Sequence, residues 1–98
     1  MNVLTELHLW YESQCNEDWE HQYGVSIETL DNPGWTVTID LEDTGLEGKP
    51  FQTVEDLEPE REWIRCWVEE LKFKGVGGPR KLEEILRIFL EWSSSEAA

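Results

Sequence analysis

The residues of this chain that could do chemistry are two cysteines, two histidines and a large excess of carboxylates. Cys15 or Cys66 could act as a nucleophile beside a histidine, and His21 has Asp18 and Glu20 close to it in sequence. A metal site would need convergent ligands at short spacings, and the chain contains no HxxH, HExxH or CxxC motif. A solvated or hydrogen-bonded histidine is the simpler interpretation. The sequence therefore predicts no catalytic residue, no metal ligand and no cofactor.

Two further stretches resemble ligand-binding loops but lack residues that those loops require. The segment that starts at Asp40 has part of the spacing of an EF-hand loop, but its twelfth position is Phe51 and not a bidentate glutamate. Gly75, Gly77 and Gly78 lack the spacing and the Lys-Ser/Thr ending of a P-loop, and the acidic surroundings would repel phosphate. A small enzyme that uses a cysteine or a histidine site is therefore the least favoured alternative.

The charge of the chain favours a basic partner. Its 98 residues carry 22 acids against 8 bases, which gives a net charge of −14. This balance disfavours direct binding to nucleic acid or to anionic membranes. Six tryptophans are many for a single domain of residues 1–98, and they suggest that some of them form a partner surface.

The same composition bears on the location of the protein. No apolar run approaches the ~20 residues of a membrane span, and the N-terminus lacks the basic start of a signal peptide. The two cysteines are far apart in sequence and are expected to be free thiols in a reducing cytoplasm.

The clearest structural pattern is a β-hairpin around Asp31-Asn32-Pro33-Gly34. Trp35 to Leu41 alternate between apolar and polar residues, and Val25 to Thr29 do so more weakly, as expected for two strands with one apolar face each. The turn residues predict a loop of four or five residues in which Gly34 supplies a positive φ. Gly24 marks a bend or bulge before the first strand.

Amphipathic helices are predicted near both ends of the chain. Apolar residues from Val3 to Cys15 follow helical spacing, with Asn2 as the N-cap. A second apolar stripe runs from Leu82 to Trp92, with Pro79 in the first turn of the helix and a frayed tail from Ser93 onwards.

The segment between these elements is harder to interpret. Residues 42–60 form an irregular acidic stretch. Because long loops are uncommon in compact domains, we expect a short edge strand around Phe51 to Val54 to interrupt it. Residues 63–74 fit a second hairpin, although Glu69-Glu70 is poor turn chemistry and the same apolar residues also fit a helix. The glycines from Gly75 to Gly78 are expected to end the sheet.

Together these elements predict an α+β fold with two layers. An antiparallel sheet of four to five strands would carry the N- and C-terminal helices on one face.

The predicted sheet leaves one face for a partner. If the helices cover Ile64, Cys66 and Val68, the opposite face displays Trp63, Arg65, Trp67 and Glu69, and the first hairpin adds Ser26, Glu28, Thr36, Thr38 and Asp40 to it. We expect partner binding at Trp63 and Trp67, with Glu28, Asp40 and Glu69 around them. The alternative is that both tryptophans lie under residues 42–60 as a second small core.

The chain also resembles a known family along most of its length. Its Asp18-Trp19-Glu20-His21, Leu30-Asp31-Asn32-Pro33-Gly34-Trp35 and Gly77-Gly78-Pro79 segments are similar to those of the immunity protein 53 family of bacterial polymorphic toxin systems. Lys81 and Leu71 depart from it, since the family pattern would place a capping residue and a glycine there. The resemblance implies a small cytoplasmic protein that binds and neutralises a cognate toxin domain, and it implies no catalytic residue.

The net charge and the family resemblance both favour a toxin as the binding partner. A cognate toxin with a basic cleft, such as a nuclease, would attract an acidic inhibitor that acts as a monomer or a weak homodimer. The alternative within the binding class is a nucleic-acid mimic, which would bind several unrelated basic proteins and not one partner.

Overall fold

The structure is a computed structural model that describes residues 2–57 and 62–95. Along the chain its elements are α1 (Val3–Gln14), α2 (Trp19–Gln22), β1 (Val25–Leu30), β2 (Gly34–Asp40), β3 (Val54–Asp56), β4 (Ile64–Glu69), β5 (Lys72–Gly77) and α3 (Leu82–Ser94). Glu58 and Glu60 of the predicted acidic stretch, and residues 96–98 of the predicted tail, lie outside the described residues.

The five strands form one open antiparallel sheet in the order β1-β2-β5-β4-β3. Helix α3 lies across β2, β5 and β4, and α1 packs mainly against α3. The predicted α+β fold, with both terminal helices on one side of the sheet, is confirmed.

The core lies between α3 and the sheet. Phe73 of β5 and Phe89 of α3 are fully buried, and their ring centroids are 5.2 Å apart in an edge-to-face contact. The ring of Trp10 of α1 also packs edge-to-face on Phe89, with 4.9 Å between the ring centroids. Such edge-to-face pairs add about 0.5–1.5 kcal/mol to the free energy gained by burial. Three elements are therefore joined through one aromatic cluster.

Helix α1 begins as predicted. The Asn2 side chain accepts a hydrogen bond from the Thr5 amide at 2.8 Å, which satisfies one of the free N–H groups of the first turn. The helix ends at Gln14, with Cys15 as its C-cap. The short helix α2 was not predicted.

Residues 64–77 form the second hairpin, and the helical alternative is wrong. Glu69 of β4 pairs with Lys72 of β5, so the turn consists only of Glu70 and Leu71. Both have positive φ, 51° and 59°, which is the conformation of a type I′ turn. The sheet ends at Gly77, within the predicted glycine stretch, but Gly75 and Gly77 are themselves paired residues of β5.

The first hairpin differs from its prediction at the turn. Leu30 pairs with Gly34, which leaves a loop of Asp31, Asn32 and Pro33 and not one of four or five residues. Gly34 does not have a positive φ. A Cβ atom there would come within 2.3 Å of the Gly77 carbonyl oxygen, so the position requires glycine because the neighbouring backbone is close.

Three boundaries lie elsewhere than predicted. The short edge strand is β3 at Val54–Asp56, and Phe51 instead packs on Phe73 and Trp92 at centroid distances of 5.5 and 5.2 Å. Helix α3 begins at Leu82 without a side-chain cap from Lys81, while Pro79 lies in the preceding turn. The helix continues to Ser94, so the first two residues of the predicted tail are helical.

Candidate docking face

The face of the sheet opposite α3 is made by alternate residues of all five strands. The strand registers place the following side chains on it: Ser26, Glu28 and Leu30 of β1; Thr36, Thr38 and Asp40 of β2; Lys72, Lys74 and Val76 of β5; Arg65, Trp67 and Glu69 of β4; and Glu55 of β3. We call this surface the open face. The side chains of Ile64 and Cys66 are buried on the opposite side, as expected.

Trp67 is the large aromatic side chain within the strands of the open face. The Arg65 guanidinium lies 4.3 Å from its ring centroid, in a cation–π contact. Its indole N–H donates to Glu69 at 2.8 Å, and Glu69 also pairs with Lys74 at 3.4 Å. These two contacts, in that order, lower the pKa of Glu69. Trp67 is thus held in one orientation by its neighbours.

Asp40 has a structural role that the sequence did not reveal. Its carboxylate accepts from the Lys72 ammonium at 2.6 Å and from the Gly24 backbone N–H at 3.0 Å. The hydrogen bond to Asp40 raises the pKa of Lys72. Asp40 therefore links β1, β2 and β5 at one end of the sheet, and its side chain is only 19% exposed.

Glu28 and Trp63 lie apart from this cluster. Glu28 is exposed on β1, three strand spacings from β4, or about 14 Å at ~4.8 Å per spacing. Trp63 precedes β4 and is half-buried, and its backbone carbonyl accepts from the Gly78 amide at 3.0 Å. Of the five predicted site residues, the structure brings only Trp67 and Glu69 into contact.

The charges of the open face are nearly balanced. Its acids are Glu28, Asp40, Glu55 and Glu69, and its bases are Arg65, Lys72 and Lys74. Besides the pairs above, Arg65 contacts Glu55 at 3.0 Å. The two lysines were not predicted on this face, although their alternation with Phe73 in the sequence places them there.

Residues 42–57 do not supply a second core over Trp67. Leu46 is buried in the core on the α3 side, and Phe51 contacts Trp92 of α3. The Lys49 ammonium donates to the backbone carbonyls of Trp92 and Ser95, at 2.7 Å each. Residues 46–51 therefore pack against the core and the end of α3, and Val54–Asp56 form the edge strand beside β4.

The Cys66 thiol is buried, whereas Cys15 and His8 both line a groove between α1 and β1. Burial raises the pKa of Cys66 to about 12, so this thiol is protonated at neutral pH and is a poor nucleophile. The Cys15 thiol lies 3.4 Å from the Tyr11 carbonyl oxygen at the end of α1. Within residues 2–57 and 62–95, no three His, Cys, Asp or Glu side chains are grouped so that they could hold a metal ion.

None of the helices in the described residues has both the length and the apolar composition needed to cross a membrane.

Comparison with known proteins gives one match. The sequence model of a family described as Immunity protein 53 matches residues 4–94 of the 98-residue chain. This range contains all five strands, α2, α3 and all but the first residue of α1. No curated protein and no solved structure matches the chain.

Proposed function

Because the chain belongs to the immunity protein 53 family, we propose that it binds and neutralises a cognate bacterial toxin domain by stoichiometric association. The family match over residues 4–94 is the observation that carries this proposal. In this function the protein acts in the cytoplasm of the cell that makes the toxin, as a monomer or a weak homodimer. It blocks the toxin by occupying its surface, without a catalytic step of its own.

The net charge of −14 supports a basic toxin domain as the partner. Opposite net charges speed diffusional encounter, and a basic cleft of the kind that binds nucleic acid would be attracted to this protein. A nuclease domain fits this chemistry.

Co-expression with the toxin domain encoded beside its gene tests the proposed function. The expected result is that growth is rescued and that a 1:1 complex co-purifies. If growth is not rescued and no complex is recovered, the proposal is wrong. Binding to several unrelated basic proteins with similar affinity would instead favour the nucleic-acid mimic.

We place one contact of the toxin on the open face, centred on Trp67, with Trp63, Glu28, Asp40 and Glu69 around it. Trp67 is already oriented by Arg65 and Glu69, so little side-chain entropy would be lost when a partner covers it. Tryptophan and arginine are also the residue types that most often contribute large binding energies at interfaces. Asp40 would act here by holding the strand ends together, since its carboxylate is already engaged by Lys72.

Replacing Trp67 with alanine tests this contact. We expect Trp67→Ala to weaken toxin binding by about 2 kcal/mol or more, mainly through faster dissociation, as for a central interface anchor. Trp35→Ala is the matched control, because Trp35 lies on the α3 side and its indole donates to the Pro79 carbonyl at 3.0 Å. Trp35→Ala should lower thermal stability and leave the affinity of the folded protein for the toxin domain unchanged. The opposite pattern, with Trp67→Ala unfolding the protein but sparing affinity, would place the docking contact elsewhere.

A further inference from the structure

Strand β1 has one free edge along its whole length. Within the described part of the chain it is the outermost strand of the sheet, and it pairs only with β2. In an antiparallel pair of strands, residue pairs that exchange hydrogen bonds alternate with pairs that do not. Gly24 and Asp40 form a bonded pair, because the Asp40 amide donates to the Gly24 carbonyl at 3.0 Å. By that alternation Ser26, Glu28 and Leu30 bond to β2. The N–H and C=O groups of Val25, Ile27 and Thr29 therefore point away from the sheet.

The N-terminal end of β1 borders a groove on the α3 side of the sheet, since Val25 lines it. Helix α1 packs mainly on α3, so it leaves β1 partly uncovered, and Ile27 is 38% exposed although it faces this side. The groove between α1 and β1 has a volume of about 740 Å³ and is lined by residues that include Leu7, Leu9, Tyr11 and Val25. This volume is within the ~300–1,000 Å³ of pockets that hold ligands.

The free edge lacks the usual protection against added strands. Exposed edges are commonly blocked by lysine, proline, a bulge or an inward-pointing charge. Strand β1 contains neither lysine nor proline, and each of its residues pairs in register with β2. Its only charged residue, Glu28, lies on the open face. A six-residue edge of this kind is suited to pairing with another extended chain.

The charge around the groove identifies the kind of chain that fits. Residues 1–48 contain eleven acids and no lysine or arginine, so −11 of the net charge of −14 lies in this half of the sequence. This half forms α1, α2, β1 and β2. A basic segment would be attracted to it, whereas a second copy of the chain would bring acids against acids.

We propose that β1 and the groove bind an extended, basic segment of the toxin domain, which adds a sixth strand to the sheet. Alternate side chains of that segment are apolar and lie on the α3 side, beside Ile27 and in the groove next to Tyr11, and the intervening basic side chains lie beside Glu28 on the open face. The inference rests on the proposed function and specifies a second contact. Glu28 belongs both to β1 and to the open face, so the two contacts are continuous.

Amide hydrogen exchange, resolved by residue with NMR, tests this inference on the complex with the toxin domain encoded beside the gene. The amides of Val25, Ile27 and Thr29 should exchange rapidly in the free protein and be protected in the complex. The amides of Ser26, Glu28 and Leu30 are the internal control, because they are already bonded to β2. If a complex forms and the first three amides stay unprotected, the inference is wrong and the proposed function stands. If no complex forms, both are overturned.

Ile27→Pro tests the edge by mutation. Proline removes the outward N–H of residue 27 without removing a bond to β2, which is why it is tolerated on edge strands. We expect binding of the toxin domain to weaken about tenfold, as for the loss of a backbone hydrogen bond at the interface. Ile27→Val is the control, since it keeps the N–H and most of the apolar side chain.

Two results would overturn the inference. One is equal affinity for the proline variant, the valine variant and the unmodified protein. The other is protection of the three outward amides in the free protein together with a dimer in sedimentation analysis, which would make a second copy the occupant. If Ile27→Pro fails to fold, the exchange experiment on the unmodified protein decides.

Discussion

At the scale of single residues, the turn between β4 and β5 places two consecutive non-glycine residues at positive φ. Glu70 and Leu71 both adopt left-handed φ values, although neither is a glycine. For residues with a Cβ atom this conformation costs about 1–2 kcal/mol each. The two-residue connection favours a type I′ or II′ turn, whose twist matches the paired strands, and the type I′ turn adopted here needs positive φ at both residues.

Leu71→Gly should therefore stabilise the protein. Glycine removes the steric penalty at φ 59° but loses more entropy on folding, so we expect a net gain of about 0.5–1 kcal/mol in the free energy of unfolding. Urea denaturation measures this gain. Leu71→Ala is the control, since it removes the side chain and keeps the strain; an equal gain for alanine would mean that side-chain exposure, and not φ, is responsible.

At the scale of elements, the contact between α3 and the sheet depends on glycines in β5. A Cβ atom on Gly75 would lie 2.4 Å from Cγ2 of Ile85 and 3.4 Å from the Cys66 sulfur. On Gly77 it would lie 2.8 Å from Cβ of Lys81. Ile85 is fully buried, so the helix can approach β5 this closely only because the strand has no side chains there.

Gly75→Ala should displace α3 and lower stability. The added methyl overpacks a filled core, which typically costs about 1–3 kcal/mol. Thermal or urea unfolding measures the loss. Gly24→Ala is the matched control, because a Cβ atom at residue 24 meets nothing within 4 Å and its φ is not positive. If the two substitutions have the same effect, α3 does not contact β5 as described.

At the scale of the whole molecule, the acidic charge is unevenly distributed. The half that forms α1, α2, β1 and β2 has no lysine or arginine, while all eight bases lie from Lys49 onwards, four of them in β4, β5 and α3. Several of those bases pair with acids of their own half, such as Lys74 with Glu69 and Arg87 with Glu83. A basic partner is therefore attracted mainly to the side of the molecule that carries β1.

This asymmetry predicts which charges control association. Glu12→Gln with Glu28→Gln should slow toxin association several-fold at low salt, and the effect should shrink as salt screens the charges. Glu70→Gln with Glu91→Gln removes the same amount of charge from the other half and should change the rate less. Stopped-flow measurements at two or more salt concentrations give both rates. If both double substitutions slow association equally, the net charge of the protein and not its distribution controls the association rate.

The sequence by itself determined those features that depend on local periodicity and local turn chemistry. The alternation from Trp35 to Leu41 identifies β2, and the apolar stripe from Leu82 to Trp92 identifies α3, since each pattern fits a single period. The Asn2 cap is likewise a local interaction. The number of layers then follows, because two amphipathic helices and an alternating sheet can bury their apolar faces only against each other.

The tertiary structure alone decided the features that depend on contacts between distant residues. Residues 63–74 fit the helical and the strand period equally, and only pairing of β5 with β2 selects the strand. The roles of Gly34 and Gly75 come from the close approach of Gly77 and Ile85, which no local pattern encodes. Pairing of Asp40 with Lys72, 32 residues away, converts a predicted docking residue into a link between strands. The free edge of β1 exists only because the strand order places it outermost, and strand order is a property of the assembled sheet.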